Sequence, residues 1–117
     1  MSKSSIHCIV DIYVKPEALE KVRAILLKIV EDSRAEDGCM EYNLFENISD
    51  RFQFTCIEVW ETEDAFEDHL QSDHIRQASV NVNEDLTKTP DIKRYKKIQV
   101  ASRKKITSKT SRFCTLI

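Results

Sequence analysis

The sequence predicts one α+β domain built in the order β-α-β-β-α-α-β. Three observations carry that reading. Apolar residues alternate with period two over residues 6–14 and 52–60, and recur at three- and four-residue spacing over 19–30. Helix punctuation then falls between these runs, at Pro16, Gly38, Thr62 and Pro90. The chain has 117 residues, 41% hydrophobic and 32% charged, which suits a single core. Residues 1–100 form the domain in this reading, and residues 101–117 a basic tail.

Ile6–Val14 is the first strand, with Ile6, Cys8, Val10, Ile12 and Val14 on one face and His7, Ile9, Asp11 and Tyr13 on the other. Pro16 suits the first turn of a helix, where Glu17 and Glu20 complement the dipole. That helix turns Leu19, Val22, Ile25, Leu26, Ile29 and Val30 inward. Gly38 after Asp37 is its stop. Met40–Glu46 and Phe52–Trp60 read as a hairpin joined by the turn residues Asn47-Ile48-Ser49-Asp50. Thr62 caps a short helix with Glu63 and Asp64 in its first turn. Ser72 is placed to cap a further helix striped by Ile75, Ala78, Val82 and Leu86, which Pro90 ends. Ile92–Val100 supplies the last strand.

Composition narrows the function classes. No apolar run reaches the roughly 18 residues of a membrane helix, and the N-terminal MSKSSIHCIV has no long apolar segment before a small-residue cleavage site. Cys8, Cys39, Cys56 and Cys114 lie far apart, without C-x-x-C or zinc spacing. Reduced thiols in the cytoplasm are therefore expected. Gly38 is the single glycine, which excludes a Gly-rich phosphate loop or nucleotide fingerprint. The net charge of −2 is unevenly spread: residues 1–91 hold all 20 acids and 9 bases, and residues 92–117 hold 9 bases and no acid. That basic end has neither aromatic interleaving nor a binding motif, so nucleic acid is not an expected partner.

The third strand is where chemistry is expected. Alternation puts Phe54, Cys56, Glu58 and Trp60 on one face, and Thr55, Ile57 and Val59 on the other. Both faces are largely apolar, which suits a helix layer on one side and some further cover on the other; a strand whose outer face is partly exposed is the alternative. Glu58 shares its face with aromatics. Lost solvation raises a carboxyl's pKa and makes it a proton carrier near neutral pH, although hydrogen bonds or an Arg partner would give it a structural role instead. Trp60 suits either a planar ligand or core packing at a strand end. His69 shares a helix face with Ala65 and Phe66, so it is either a satisfied core residue or a base. His74, about 140° further around if the helix continues, is expected at the surface. No spacing makes a metal site of the three histidines.

The run from Gly38 to His74, GCMEYNLFENISDRFQFTCIEVWETEDAFEDHLQSDH, resembles the antibiotic biosynthesis monooxygenase family. The resemblance covers residues 6 to 100. It implies a ferredoxin-like fold with an antiparallel sheet, paired in a homodimer as a dimeric α/β barrel. His7 would then face the subunit interface. Several family members oxidise quinols or polyphenols with molecular oxygen and no cofactor; others are isomerases, haem-degrading enzymes, or have no known reaction. The E-x-W-E at Glu58 to Glu61 and H-L-Q at His69 to Gln71 are similar to the quinol monooxygenase-like branch. Two departures stand against the polyketide-oxidising branch: Cys56 replaces its Asn and Phe66 its helix Tyr. Ile9, His69 and Ser79 stand where haem-degrading relatives carry Asn, Trp and His, which argues against haem. The resemblance thus implies a cofactor-independent monooxygenase acting on a small quinol-like or phenolic substrate. His69 or Glu58 would be the base and Trp60 would stack on the ring, with Phe54, Cys56, Phe66 and Tyr42 around it. A proton-transfer enzyme such as an isomerase, or a non-catalytic ligand-binding dimer, would use the same pocket.

The last four residues, Cys114-Thr115-Leu116-Ile117, sit in the register of a C-a-a-X prenylation box behind five basic residues. Thr115 is not aliphatic and Ile117 is an uncommon final residue. Lipidation of Cys114 would bring peripheral membrane contact; a solvated basic tail is the alternative.

Overall fold

Alternation of apolar residues forces each strand to show one face to a helix layer, and the computed structural model, which describes residues 4–102, is arranged accordingly. Strand β1 is Ile6–Tyr13 and is followed by a 3-10 turn at Pro16–Ala18 and helix α1, Leu19–Arg34. Strands β2 (Cys39–Glu46) and β3 (Gln53–Trp60) form the hairpin. Helices α2 (Glu63–Leu70) and α3 (Asp73–Val82), a second 3-10 turn and strand β4 (Asp91–Lys96) complete the chain of elements. The sheet is four-stranded in the order β2-β3-β1-β4, with every pair antiparallel. This is the ferredoxin-like α+β architecture.

The core lies between the sheet and the helices. Ile6, Cys8 and Ile12 of β1 meet Phe54, Cys56 and Trp60 of β3, and Val22, Leu26 and Val30 of α1 close over them. The hairpin turn forms through Asn47, whose Oδ1 accepts the backbone N–H groups of Ser49 and Asp50. Thr62 caps α2 as expected, its hydroxyl oxygen accepting the Ala65 N–H at 3.1 Å.

Three expectations are corrected. β4 stops at Lys96 rather than Val100, because Lys96 already pairs with Ile6, the first residue of β1, and among the described residues no partner strand remains. The Ser72 hydroxyl donates to the His69 carbonyl at 2.6 Å instead of capping α3 with its side chain. α3 ends at Val82, and Leu86 leaves the helix to pair with Val14. The opposite sheet face stays open: Ile57 is 41% exposed, and Phe45 and Tyr95 on the flanking strands are also exposed. The prenylation box at Cys114, with Arg103 onward, lies outside the described residues.

Candidate active site

Glu58 occupies the central strand of its neighbourhood. β3 alternation turns it toward the helices, and the strand register sets Tyr42 of β2 and Cys8 of β1 on either side of it. Only 1% of the residue is exposed. Two residues along the strand, Trp60 donates its indole N–H to Glu58 Oε1 at 2.8 Å. Burial pushes the Glu58 carboxyl up to about 7, against the pull of the Trp60 and Tyr42 hydrogen bonds. At neutral pH such a group exists in both protonation states.

His69 reaches the same place from the last turn of α2 and is 2% exposed. Its Nε2 lies 3.9 Å from Glu58 Oε1. Its ring packs 4.5 Å from the Trp60 ring and 5.6 Å from Tyr42, centre to centre. The other ring nitrogen, Nδ1, is 2.6 Å from Glu36 Oε2. Burial depresses the His69 pKa while the Glu36 carboxylate works against that depression. A neutral His69 that donates Nδ1–H to Glu36 therefore presents its Nε2 lone pair toward Glu58.

Glu36 was not foreseen as a site residue. It follows α1 and is carried to His69 by a tight approach at Gly38. Gly38 has φ +83°, and a Cβ there would come within 2.6 Å of the Ala65 Cβ on α2. Its carbonyl accepts the Glu61 N–H at 2.7 Å, tying this loop to the start of α2. The expectation for His74 is also corrected. α2 and α3 are separate helices broken at Gln71-Ser72, so the break turns His74 back, and its Nε2 lies 3.1 Å from the same Glu36 Oε2.

A cavity of about 130 Å³ opens between sheet and helices, and Glu58, His69, Tyr42, Cys56 and Phe66 line it. Val10, Leu26, Ile29 and Val82 contribute to its apolar wall. An apolar cavity of roughly 150 Å³ takes up benzene, so this one has the scale of a single aromatic ring. Trp60 and Phe54 lie outside its wall, both fully buried. The predicted stacking of Trp60 on a ligand accordingly gives way to a different contact: its ring packs on His69 and its N–H holds Glu58. Thiol nucleophilicity is suppressed, since burial pushes Cys8 and Cys56 up to about 12 and Cys39 up to about 11. The Tyr42 hydroxyl is likewise pushed up by burial and stays a neutral donor.

These features can be set beside known proteins. The sequence profile of the antibiotic biosynthesis monooxygenase family matches residues 5–80. The chain belongs to that family. Among its relatives, the Synechocystis protein sll1783 is 31% identical over 86 residues, covering 74% of this chain and 58% of that one. The match thus spans little more than half of the Synechocystis protein. Rv0793 of Mycobacterium tuberculosis, provisionally named a monooxygenase, is 32% identical over 74 residues, 63% of this chain and 72% of that one. The Rv0793 structure superposes with a TM-score of 0.77, covering 85% of this chain and 100% of that one. PA3566 of Pseudomonas aeruginosa gives 0.79 at 26% identity, covering 85% and 99%. Family membership and fold are thereby fixed together.

Proposed function

We propose that this protein oxidises a small, electron-rich phenol or quinol with molecular oxygen, without a cofactor. The observation that carries the reading is a carboxyl–imidazole pair, Glu58 and His69, set in a ring-sized apolar cavity and linked outward through Glu36. The chemistry asked of the protein is modest. A phenol that gives up its proton becomes a strong electron donor. The phenolate passes one electron to oxygen, and the resulting radicals join at a ring carbon. The hydroperoxide so formed loses water, so one oxygen atom ends as a ring carbonyl and the other as water. Net, a phenol and O2 give a quinone and water.

His69 Nε2, oriented by the Glu36 hydrogen bond on Nδ1, is the base of this scheme, and Glu58 holds the transferred proton for return. The dry walls keep the phenolate's charge from being stabilised by water, which favours electron transfer. Trp60 acts as a positioning residue for both groups. The open sheet face at Ile57 is proposed as the homodimer interface, where a second copy would cover the exposed apolar side chains.

The test is oxygen uptake by metal-stripped protein against single-ring and fused-ring phenols and quinols. Uptake above autoxidation that disappears in His69→Ala supports the assignment. Unchanged turnover in both His69→Ala and Glu58→Gln overturns it. Substrate turnover that persists without oxygen would instead identify proton transfer as the reaction of this pair.

A further inference from the structure

Glu36, His69 and His74 have a use that the acid–base scheme does not exhaust. One oxygen, Glu36 Oε2, stands 2.6 Å from His69 Nδ1 and 3.1 Å from His74 Nε2, and the donor atoms of the three residues all lie within 4.8 Å of one another. They come from three separate segments: the loop after α1, the end of α2 and the first turn of α3. A carboxylate and two imidazoles are hard-to-borderline ligands suited to zinc, copper, nickel or ferrous iron rather than calcium or magnesium. We propose that Glu36, His69 and His74 form a binding site for one divalent transition-metal ion per chain, of which zinc is the simplest.

The distances fit with little rearrangement. Tetrahedral ligands at about 2.0–2.1 Å from zinc stand roughly 3.3 Å apart. The His74–Glu36 separation of 3.1 Å is already near that value, and the His69–Glu36 contact of 2.6 Å has to widen. Access is available: His69 is buried, but the His74 and Glu36 side chains are 24% and 18% exposed, which leaves a solvent-facing side for entry and for a fourth ligand, water. Support behind the ligands is also in place. A metal on His69 Nδ1 puts the proton on Nε2, which faces the Glu58 carboxylate at 3.9 Å. A carboxylate behind a ligating imidazole is the arrangement that orients such ligands and strengthens them.

Metal and proton relay use the same nitrogen, so they exclude each other. The ion takes the place of the Nδ1 proton that Glu36 accepts, and that proton passes to His69 Nε2. The site therefore makes the protein's acid–base pair sensitive to free transition metal.

The experiment is calorimetric titration of the metal-stripped protein with Zn2+ at pH 7.5, repeated with Co2+ for its visible absorption. Saturable binding of one ion per chain at micromolar metal is expected, with the intense visible bands of tetrahedral rather than octahedral Co2+. His74→Ala and Glu36→Gln should each weaken binding at least tenfold, while Cys39→Ser should leave it unchanged. Circular dichroism of each variant separates lost ligation from lost fold. Absence of saturable binding overturns the proposal. So does binding that survives His74→Ala and Glu36→Gln, or that is lost in Cys39→Ser, since either outcome moves the ion elsewhere. None of these readouts depends on turnover.

Discussion

Replacing Glu58 with Gln should make the protein more stable above neutral pH, a result opposite to what loss of a hydrogen-bonded buried residue usually brings. The sign follows from proton linkage. Burial raises the folded-state pKa of Glu58 from 4.5 to about 7. Below pH 4.5 the carboxyl is protonated in both folded and unfolded chains and costs nothing. Between 4.5 and 7 the unfolded chain ionises while the folded chain keeps its proton, so folding stability declines as pH rises. Above pH 7 the full penalty of a buried carboxylate is in place. A shift of this size corresponds to about 3 kcal/mol, or roughly 10 °C in Tm for a domain of this length. Gln keeps an oxygen to accept the Trp60 indole N–H at its present position and carries no charge. Urea unfolding of wild type and Glu58→Gln at pH 5, 6, 7 and 8.5, at one fixed protein concentration, isolates the effect as a difference between two profiles. The curves should lie within about 1 kcal/mol of each other at pH 5 and separate by about 3 kcal/mol at pH 8.5. Parallel profiles, or a variant that gains nothing above pH 7, would refute the claim that this carboxyl is held neutral by burial. The proton-carrier role would fall with it.

Other perturbations test the remaining parts of the site. Glu36→Gln removes the anionic partner of His69 Nδ1; with metal stripped, kcat should fall about tenfold or more with little change in KM. The acidic limb of its pH–rate profile should move to lower pH, because imidazolium loses support. An unchanged profile would detach Glu36 from catalysis. Gly38→Ala should cost about 1–3 kcal/mol from the left-handed backbone alone, with more from the 2.6 Å approach to Ala65. Denaturant midpoints check this, and a variant as stable as wild type would contradict the packing described. The homodimer proposed at the open sheet face predicts that Ile57→Lys lowers the mass seen in light scattering to that of a monomer, whereas an unaltered mass would place any subunit contact elsewhere.

How much of this was legible depends on distance along the chain. Period-two alternation on β3 placed Phe54, Cys56, Glu58 and Trp60 on one face without reference to any other element, and the structure buries all four. The cap at Thr62 and the stop at Gly38 were equally local. His69 could be set facing the sheet by helical spacing. What spacing could not give was the contact between Glu36 and His69, 33 positions apart, which depends on a close approach between a loop and α2. His74 was misplaced for a related reason. The offset of about 140° carried the first helix on through Gln71 and Ser72 although Ser72 was itself expected to open a further helix, and two residues of turn are enough to redirect a side chain from solvent to a carboxylate. The single glycine was the available signal: a lone Gly38 with an acid two residues earlier marks a loop that packs closely on something.

The arrangement around Glu36 also explains why a buried imidazole can be retained at all. A neutral His69 deep in an apolar site needs partners for both ring nitrogens, or it carries an unsatisfied polar atom of the kind that costs about 1–3 kcal/mol. Glu36 satisfies Nδ1, and Glu58 faces Nε2 at a distance that a small motion, or a bound phenol, closes. Its two carboxyl neighbours differ in kind: Glu58 is buried and half-protonated near pH 7, whereas Glu36 reaches solvent. In the proposed scheme His69 is the link between the cavity and the solvent-facing carboxylate. The exposure that links Glu36 to solvent would also admit a metal ion, so the proposed relay and the proposed zinc site draw on the same two side chains, Glu36 and His69.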